Sequence, residues 1–308
     1  MSESPPPPPS WTIGNMASSA INFLRLPVLA SSGLAVVASG VLYFKQNEAI
    51  YPRSVPADAR TNVPSPSQFR IEDFEDLQIQ TPDGESLHAY FFPQPQGRFK
   101  RHLTLIMFHG NAGNIGHRVP IAKALQDTLQ CNILMLEYRG YGKSTGTPDE
   151  AGLKVDAQAG LDYLRQRADT KDSKIVAYGQ SLGGAVAINL VNTNQEHFAG
   201  LILENTFLSI RKLIPVLVPP ARYLARFCHQ TWQSEDWLPN IQKVPILFLS
   251  GLKDELVPPS HMTGLFSLCK SETKIWRTLP NGAHNDSVAE PGYFEHILDF
   301  ISEEVMND

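Results

Sequence analysis

From residue 74 to about residue 305, short apolar blocks alternate with longer stretches of helical periodicity. Continuous apolar runs such as Leu103–Phe108 and Ile246–Leu249 carry the signature of strands buried on both faces. Strands are expected near 74–80, 85–92, 103–108, 132–137, 174–178, 201–204, 246–250 and 274–279, with helices over 116–129, 148–168, 182–194, 259–269 and 292–305. The first two strands meet at Pro82-Asp83-Gly84, a hairpin turn, so that edge should be antiparallel. Elsewhere the alternation predicts one α/β domain over 74–308, with a mostly parallel eight-stranded sheet flanked by helices.

The first 73 residues read differently. Pro5–Pro9 is an extended spacer within an N-terminal tail over 1–25, expected to be disordered. Between Arg25 and Lys45 runs LPVLASSGLAVVASGVLYF, with no charge. As a helix it would span roughly 28 Å, close to a bilayer core. The reading is a single transmembrane anchor over 26–44. A cleaved signal peptide ending near Ala38-Ser39-Gly40 and a helix lying on the domain are the alternatives. Residues 45–73, with prolines at 56, 64 and 66, are expected as a tether. Lys45, Arg53 and Arg60 follow the apolar run and Arg25 precedes it, which favours a cytosolic catalytic domain.

Composition narrows the classes. The chain has 308 residues, 42% of them hydrophobic, and a formal net charge of −5, so it is long enough for a large core and has no basic block to meet nucleic acid. Its cysteines, Cys131, Cys228 and Cys269, form no evident disulfide framework. The Asn-x-Ser sequon begins at Asn285, beside a proposed catalytic residue, where a glycan would block the site. HExxH and paired CxxC motifs are absent, so the sequence implies neither a metal nor another cofactor. Nothing in it sets an oligomeric state.

The chemistry concentrates in KIVAYGQSLGGAVA, residues 174–187, where a strand enters a Gly-Gln-Ser-Leu-Gly turn and a helix follows. A serine on such a turn stands clear of the backbone, and the first helical N–H groups beside it are free to bind an oxyanion. Gly179 and Gly183 flank Ser181 because side chains there would crowd the turn. A serine hydroxyl needs a base to take its proton, and histidine, with an ordinary pKa near 6.5, suits that role once a carboxylate orients it. The chain order must be serine, acid, histidine. Asp254 follows the strand in VPILFLSGLKDELVPP, and His284 follows the strand ending at Pro280-Asn281-Gly282. The expected triad is Ser181–Asp254–His284.

Glu204 in LILENTF is a rival acid, more simply read as an acceptor for loop backbone. The oxyanion donors are assigned to the amides of Asn111, in HGNAGN, and Leu182. His109 reads as a structural residue at the strand end. The glycines of Gly140–Ser144 lack P-loop spacing and form a structural turn. The other seven histidines, among them His88, His117 and His261, match no motif and read as surface or packed residues.

Over residues 70–305 these motifs resemble the α/β-hydrolase superfamily. HGNAGN, EYRGYGKSTG, GQSLGGAVA, ENTF and HND are similar to the bud-emergence (Bem-type) family of membrane-anchored serine hydrolases, and beyond it to α/β-hydrolase-domain depalmitoylases. The resemblance implies Ser181, Asp254 and His284 in the triad positions, one N-terminal membrane segment, and residence in the endoplasmic reticulum, other endomembranes or the plasma membrane. The depalmitoylating relatives attach through N-terminal cysteines, whereas this chain has none before Cys131. A small lid is expected at 207–239, its apolar run Leu213–Val218 lining an acyl pocket and Arg211, Lys212, Arg222 and Arg226 meeting anionic groups, or all of it packed on the core with the cations in water. The expected activity is hydrolysis of acyl esters or thioesters, with an acyl lipid or acylated protein (a palmitoyl-protein among them) as substrate. A non-catalytic signalling or scaffold protein on the same fold and a serine peptidase are the competing readings.

Overall fold

The computed structural model describes residues 40, 43–95 and 102–307. It divides into two units, Met1–Gln46 and Asn47–Asp308. The expected anchor over 26–44 and the tail over 1–25 lie outside the described residues, apart from Gly40, Tyr43 and Phe44. Among the described residues no helix is long and apolar enough to cross a membrane.

The second unit is an eight-stranded sheet. Its strands are β1 (Glu75–Gln80), β2 (Ser86–Phe92), β3 (Leu103–Phe108), β4 (Asn132–Leu136), β5 (Lys174–Gln180), β6 (Gly200–Glu204), β7 (Ile246–Gly251) and β8 (Lys274–Leu279), in the spatial order 1-2-4-3-5-6-7-8. β2 is antiparallel to both β1 and β4, and every other pairing is parallel. The longer helices are α1 (Val119–Leu129), α2 (Glu150–Gln166), α3 (Leu182–Thr193), α4 (Ile210–Leu217), α5 (Pro259–Leu268) and α6 (Tyr293–Phe300), the last continuing as one π turn over Ile301–Val305.

Alternation along each strand builds two cores. Ile106, Phe108, Ile175 and Ala177 face the side covered by α2, α3 and α5. Leu103, Leu105, Met107, Val176 and Tyr178 face the side covered by α1 and α6. With both faces covered, the central strands have no polar face, which is why they read as unbroken apolar runs. The turn after β4 is pinned by Arg139, whose guanidinium bonds Asp83 of the β1–β2 hairpin at 2.7 and 3.0 Å and Asp156 of α2 at 2.8 Å. Gly140–Ser144 is a structural turn, closed by Ser144 N–H to the Tyr141 carbonyl at 2.9 Å.

Residues 47–73 are not a free tether. Tyr51, Ala59, Val63 and Ile71 are buried. The Tyr51 hydroxyl donates to Gln230 at 2.8 Å and accepts from the Trp232 indole at 2.9 Å. The Val55 carbonyl accepts from the Gly113 amide at 2.8 Å, and those of Ala59 and Asn62 accept from the Asn114 side chain at 2.9 Å each. The prolines mark bends in a packed strap, because widely spaced apolar residues here bury against tertiary partners and leave no local periodicity.

One polar cluster lies inside the second core. Glu204 Oε2 accepts from the hydroxyls of Tyr178 and, at 2.6 Å, Tyr293, which ties α6 to β5 and β6. Its partners are therefore side chains and not the loop backbone expected. Burial raises the Glu204 carboxyl above 4.5, while the two tyrosine bonds pull it down. A group raised in the folded state holds its proton more firmly there than in the unfolded chain. Its contribution is therefore complete below about pH 4.5 and declines as pH climbs through the folded value. Glu204→Gln stays neutral, so it should gain stability relative to wild type as pH rises above about 4.5; paired urea midpoints from about pH 4 to about pH 8 check this. A second expectation concerns Gly183, where an added methyl would sit 2.0 Å from the Phe108 carbonyl oxygen. Gly183→Ala should cost about 3 kcal/mol, read as a lowered urea midpoint.

Candidate active site

Ser181 occupies the turn between β5 and α3 with φ 54° and ψ −118°. That conformation is costly for a residue with a Cβ, so its surroundings must hold it. The Ser181 N–H donates to the Glu204 carbonyl at 2.9 Å, and its carbonyl accepts from the Thr206 hydroxyl at 2.7 Å. Room for the turn comes from two glycines: a methyl on Gly179 would meet the Gly183 carbonyl oxygen at 2.2 Å, and one on Gly183 would strike the end of β3.

Asp254 follows β7 and His284 follows β8. His284 Nε2 lies 3.0 Å from Ser181 Oγ, and its Nδ1 lies 2.8 Å from Asp254 Oδ2. An ionised carboxylate only accepts, so the Nδ1 facing it carries the hydrogen and Nε2 is left to accept from serine. The other Asp254 oxygen accepts from the amides of Leu256 and Val257 at 2.9 and 2.7 Å, which fixes the carboxylate's orientation. The three residues chosen from the sequence are thus within hydrogen-bonding reach in series, and all three are buried.

Asn205 holds the loops in register. Its side chain accepts from the Gly251 amide at 2.8 Å and donates to Ser287 Oγ at 2.8 Å and to the Ala283 carbonyl at 3.2 Å. It therefore joins the end of β7 to the histidine loop from the loop beside Ser181. Gln180 Nε2 donates to the His284 carbonyl at 3.0 Å.

The amide of Leu182 opens α3 and that of Asn111 lies in the loop after β3; neither donates to a hydrogen bond among the described residues. The Tyr141 hydroxyl contacts the Asn111 carbonyl at 3.0 Å and its Oδ1 at 2.9 Å, and the Asn111 side chain also donates to the Ile50 carbonyl. His109 turns from the serine: its Nδ1 bonds the Gly110 carbonyl at 2.7 Å, and its Nε2 lies 3.1 Å from Glu137. Glu204, the rival acid, is occupied by Tyr178 and Tyr293.

A cavity of about 340 Å³ lies on the α1 side of the sheet; its lining includes Gln180 and Asn285, next in sequence to Ser181 and His284, and none of Ser181, Asp254 and His284 themselves. Met107, Ile121 and Met135 form its apolar wall, and Arg118 projects a guanidinium from the short helical turn before α1. No residue of 207–239 is in its lining. The apolar run assigned to an acyl pocket instead leaves Val216, Leu217 and Val218 about half exposed, while Lys212 pairs with Glu235 and Arg211 bonds the Cys228 carbonyl. Asn205, Tyr141 and Arg118 escaped the sequence reading. The ENT triplet directly after a strand was the available signal for Asn205; for the other two, a polar residue in a glycine-rich turn and a basic residue before a helix carry no distinguishing pattern.

Residues 104–223 match the family described as the alpha/beta hydrolase fold. The chain is similar in fold to an esterase of Pyrococcus furiosus, with a TM-score of 0.63 and 17% identity over 78% of this chain and 94% of that one. It is 38% identical to an uncharacterized membrane protein of Saccharomyces cerevisiae, YNL320W, over 88% of this chain and 93% of that protein. It is 36% identical to an alpha/beta hydrolase domain-containing protein of Arabidopsis thaliana, WAV2, over 87% of this chain and 91% of that protein. Protein bem46 of Schizosaccharomyces pombe matches at 44% identity over 96% of this chain and 98% of that protein. A likeness of that extent, running through both units from end to end, is more than shared architecture, and the chain belongs to the Bem46 family of α/β hydrolases.

Proposed function

We propose that the protein is a serine hydrolase that cleaves acyl esters or thioesters through an acyl-enzyme on Ser181. The reading is carried by one observation, the unbroken series Ser181 Oγ, His284, Asp254 at 3.0 and 2.8 Å with two unengaged amides in the adjoining turns. His284 Nε2 takes the hydroxyl proton as Oγ attacks the acyl carbon, and Asp254 stabilises the imidazolium. The amides of Asn111 and Leu182 receive the oxyanion. His284 then returns the proton to the departing oxygen or sulfur, and water, activated by the same imidazole, releases the acid.

The esterase among the structures of like fold agrees with an ester as the bond cleaved. The membrane protein among the yeast relatives agrees with anchoring through residues 26–44, so substrates presented at a membrane, acyl lipids or acylated proteins such as palmitoyl-proteins, fit the reading best.

A fluorophosphonate probe should label the wild-type protein and not Ser181→Ala, and kcat on a short acyl ester should fall by about 10⁴–10⁶ in that variant. Equal labelling of both folded proteins overturns the proposal. Tyr141→Phe removes the hydroxyl that holds Asn111, so kcat should fall about 10-fold with little change in KM, because the donor amide is displaced and not deleted. Steady-state kinetics on the same ester measure this.

A further inference from the structure

The cavity lined by Gln180 and Asn285 also holds a cation, Arg118, that the catalytic steps do not use. Arg118 carries five N–H donors. Among the described residues its guanidinium makes one hydrogen bond, from Nη2 to the Ala112 carbonyl at 3.2 Å, and no ion pair with a carboxylate. The residue is partly buried, and its remaining donors have no protein partner among the described residues. Glu137 and Glu204, the carboxylates whose charge reaches it, make no ion pair with it among the described residues. Glu137 accepts from the Ile115 amide at 3.0 Å and faces His109, while Glu204 is held by Tyr178 and Tyr293. Burial lowers the Arg118 pKa, with Tyr178, Glu137 and Glu204 opposing it from a distance. Arginine remains a cation in proteins all the same.

Position makes the charge relevant to the reaction. A methyl group built on Gly110 would lie 3.8 Å from both Arg118 Nη2 and Ser181 Cβ, so the guanidinium stands no more than two such contacts from the serine. It also lines the cavity, together with Gln180 and the apolar wall of Met107, Ile121 and Met135. The cavity has an apolar wall and an under-committed cation, and the carboxylate in its lining, Glu204, is held by Tyr178 and Tyr293, so it suits a ligand that is apolar along its length and anionic at one point.

We propose that this cavity is an anion-binding subsite and that the substrate carries a carboxylate or phosphate a few bonds from the scissile carbonyl, paired with Arg118. This rests on the serine hydrolase reading and narrows it to one substrate class. The anion belongs either to the acyl part, as in a dicarboxylic acid half-ester, or to the leaving group, as in an acylated alcohol phosphate.

Two substrate pairs separate those sources: the p-nitrophenyl half-ester of glutaric acid against p-nitrophenyl pentanoate, and butyrylglycerol phosphate against butyrylglycerol. The wild-type protein should prefer the anionic member of one pair by about 10- to 100-fold in kcat/KM, the effect of a charge-assisted contact. Arg118→Gln should abolish that preference and Arg118→Lys should keep part of it, whatever the absolute rates. No preference in either pair, or a preference that survives Arg118→Gln, overturns the proposal. An equal fall for anionic and neutral esters assigns Arg118 to holding the loop through Ala112 and overturns it as well. A binding arm is independent of turnover. Glutarate or inorganic phosphate should raise the wild-type Tm and leave that of Arg118→Gln unmoved. A protein that fails to react with fluorophosphonate yet shows this difference has lost the hydrolase reading and kept the anion site.

Discussion

A serine forced into positive φ has to be clamped, and the clamp here is steric. Ser181 keeps its place because α3 starts against the end of β3 at a separation that leaves no room for a side chain on Gly183. Backbone strain of this kind costs on the order of 1–3 kcal/mol and survives only where the surroundings over-determine it. The Glu204 carbonyl and the Thr206 hydroxyl complete that determination from β6 and the loop beyond it. Everything catalytic in the proposal follows from this point, since the same packing that sets the hydroxyl against His284 leaves the Leu182 amide without a partner among the described residues.

The remaining groups are brought to the serine by topology. β3, β5, β6, β7 and β8 are parallel, so their carboxyl ends share one edge, and the loops carrying Asn111, Ser181, Asn205, Asp254 and His284 all leave from it. Parallel strands set these residues only approximately. Asn205 refines the arrangement by hydrogen bonding three segments at once, and an error there would reach His284 through Ala283 and Ser287. The positioning is thus shared between strand register and one buried amide.

Much of this was readable from the residues. Strands such as Leu103–Phe108 and Ile246–Gly251 stand where the apolar runs placed them, because a strand covered on both faces must be apolar throughout. The candidate serine and acid were separable from other residues of their kind because each follows such a run, and the candidate histidine because it follows the edge strand Lys274–Leu279 and its Pro280-Asn281-Gly282 turn. What escaped depended on partners distant in sequence. Tyr51 reads as one aromatic in a proline-rich stretch, and its meaning comes from Gln230 and Trp232, far along the chain. Segment 207–239 reads as a cover for the pocket because its apolar run is contiguous, yet Leu213 turns inward while Val216 and Leu217 face outward. Arg118 is a basic residue at the start of a helix until its want of an ion pair among the described residues is seen.

The strap over residues 51–64 makes the consequence of a break in the chain depend on where it falls. A protease cutting between residues 46 and 50 would shed a hydrolase unit that still carries Val55 against Gly113 and Ala59 against Asn114. A cut past residue 64 would strip those contacts away with the departing N-terminal fragment and leave the segment that bears Asn111 unsupported on one side. The two products, of nearly the same mass, would then differ in how firmly that loop is held.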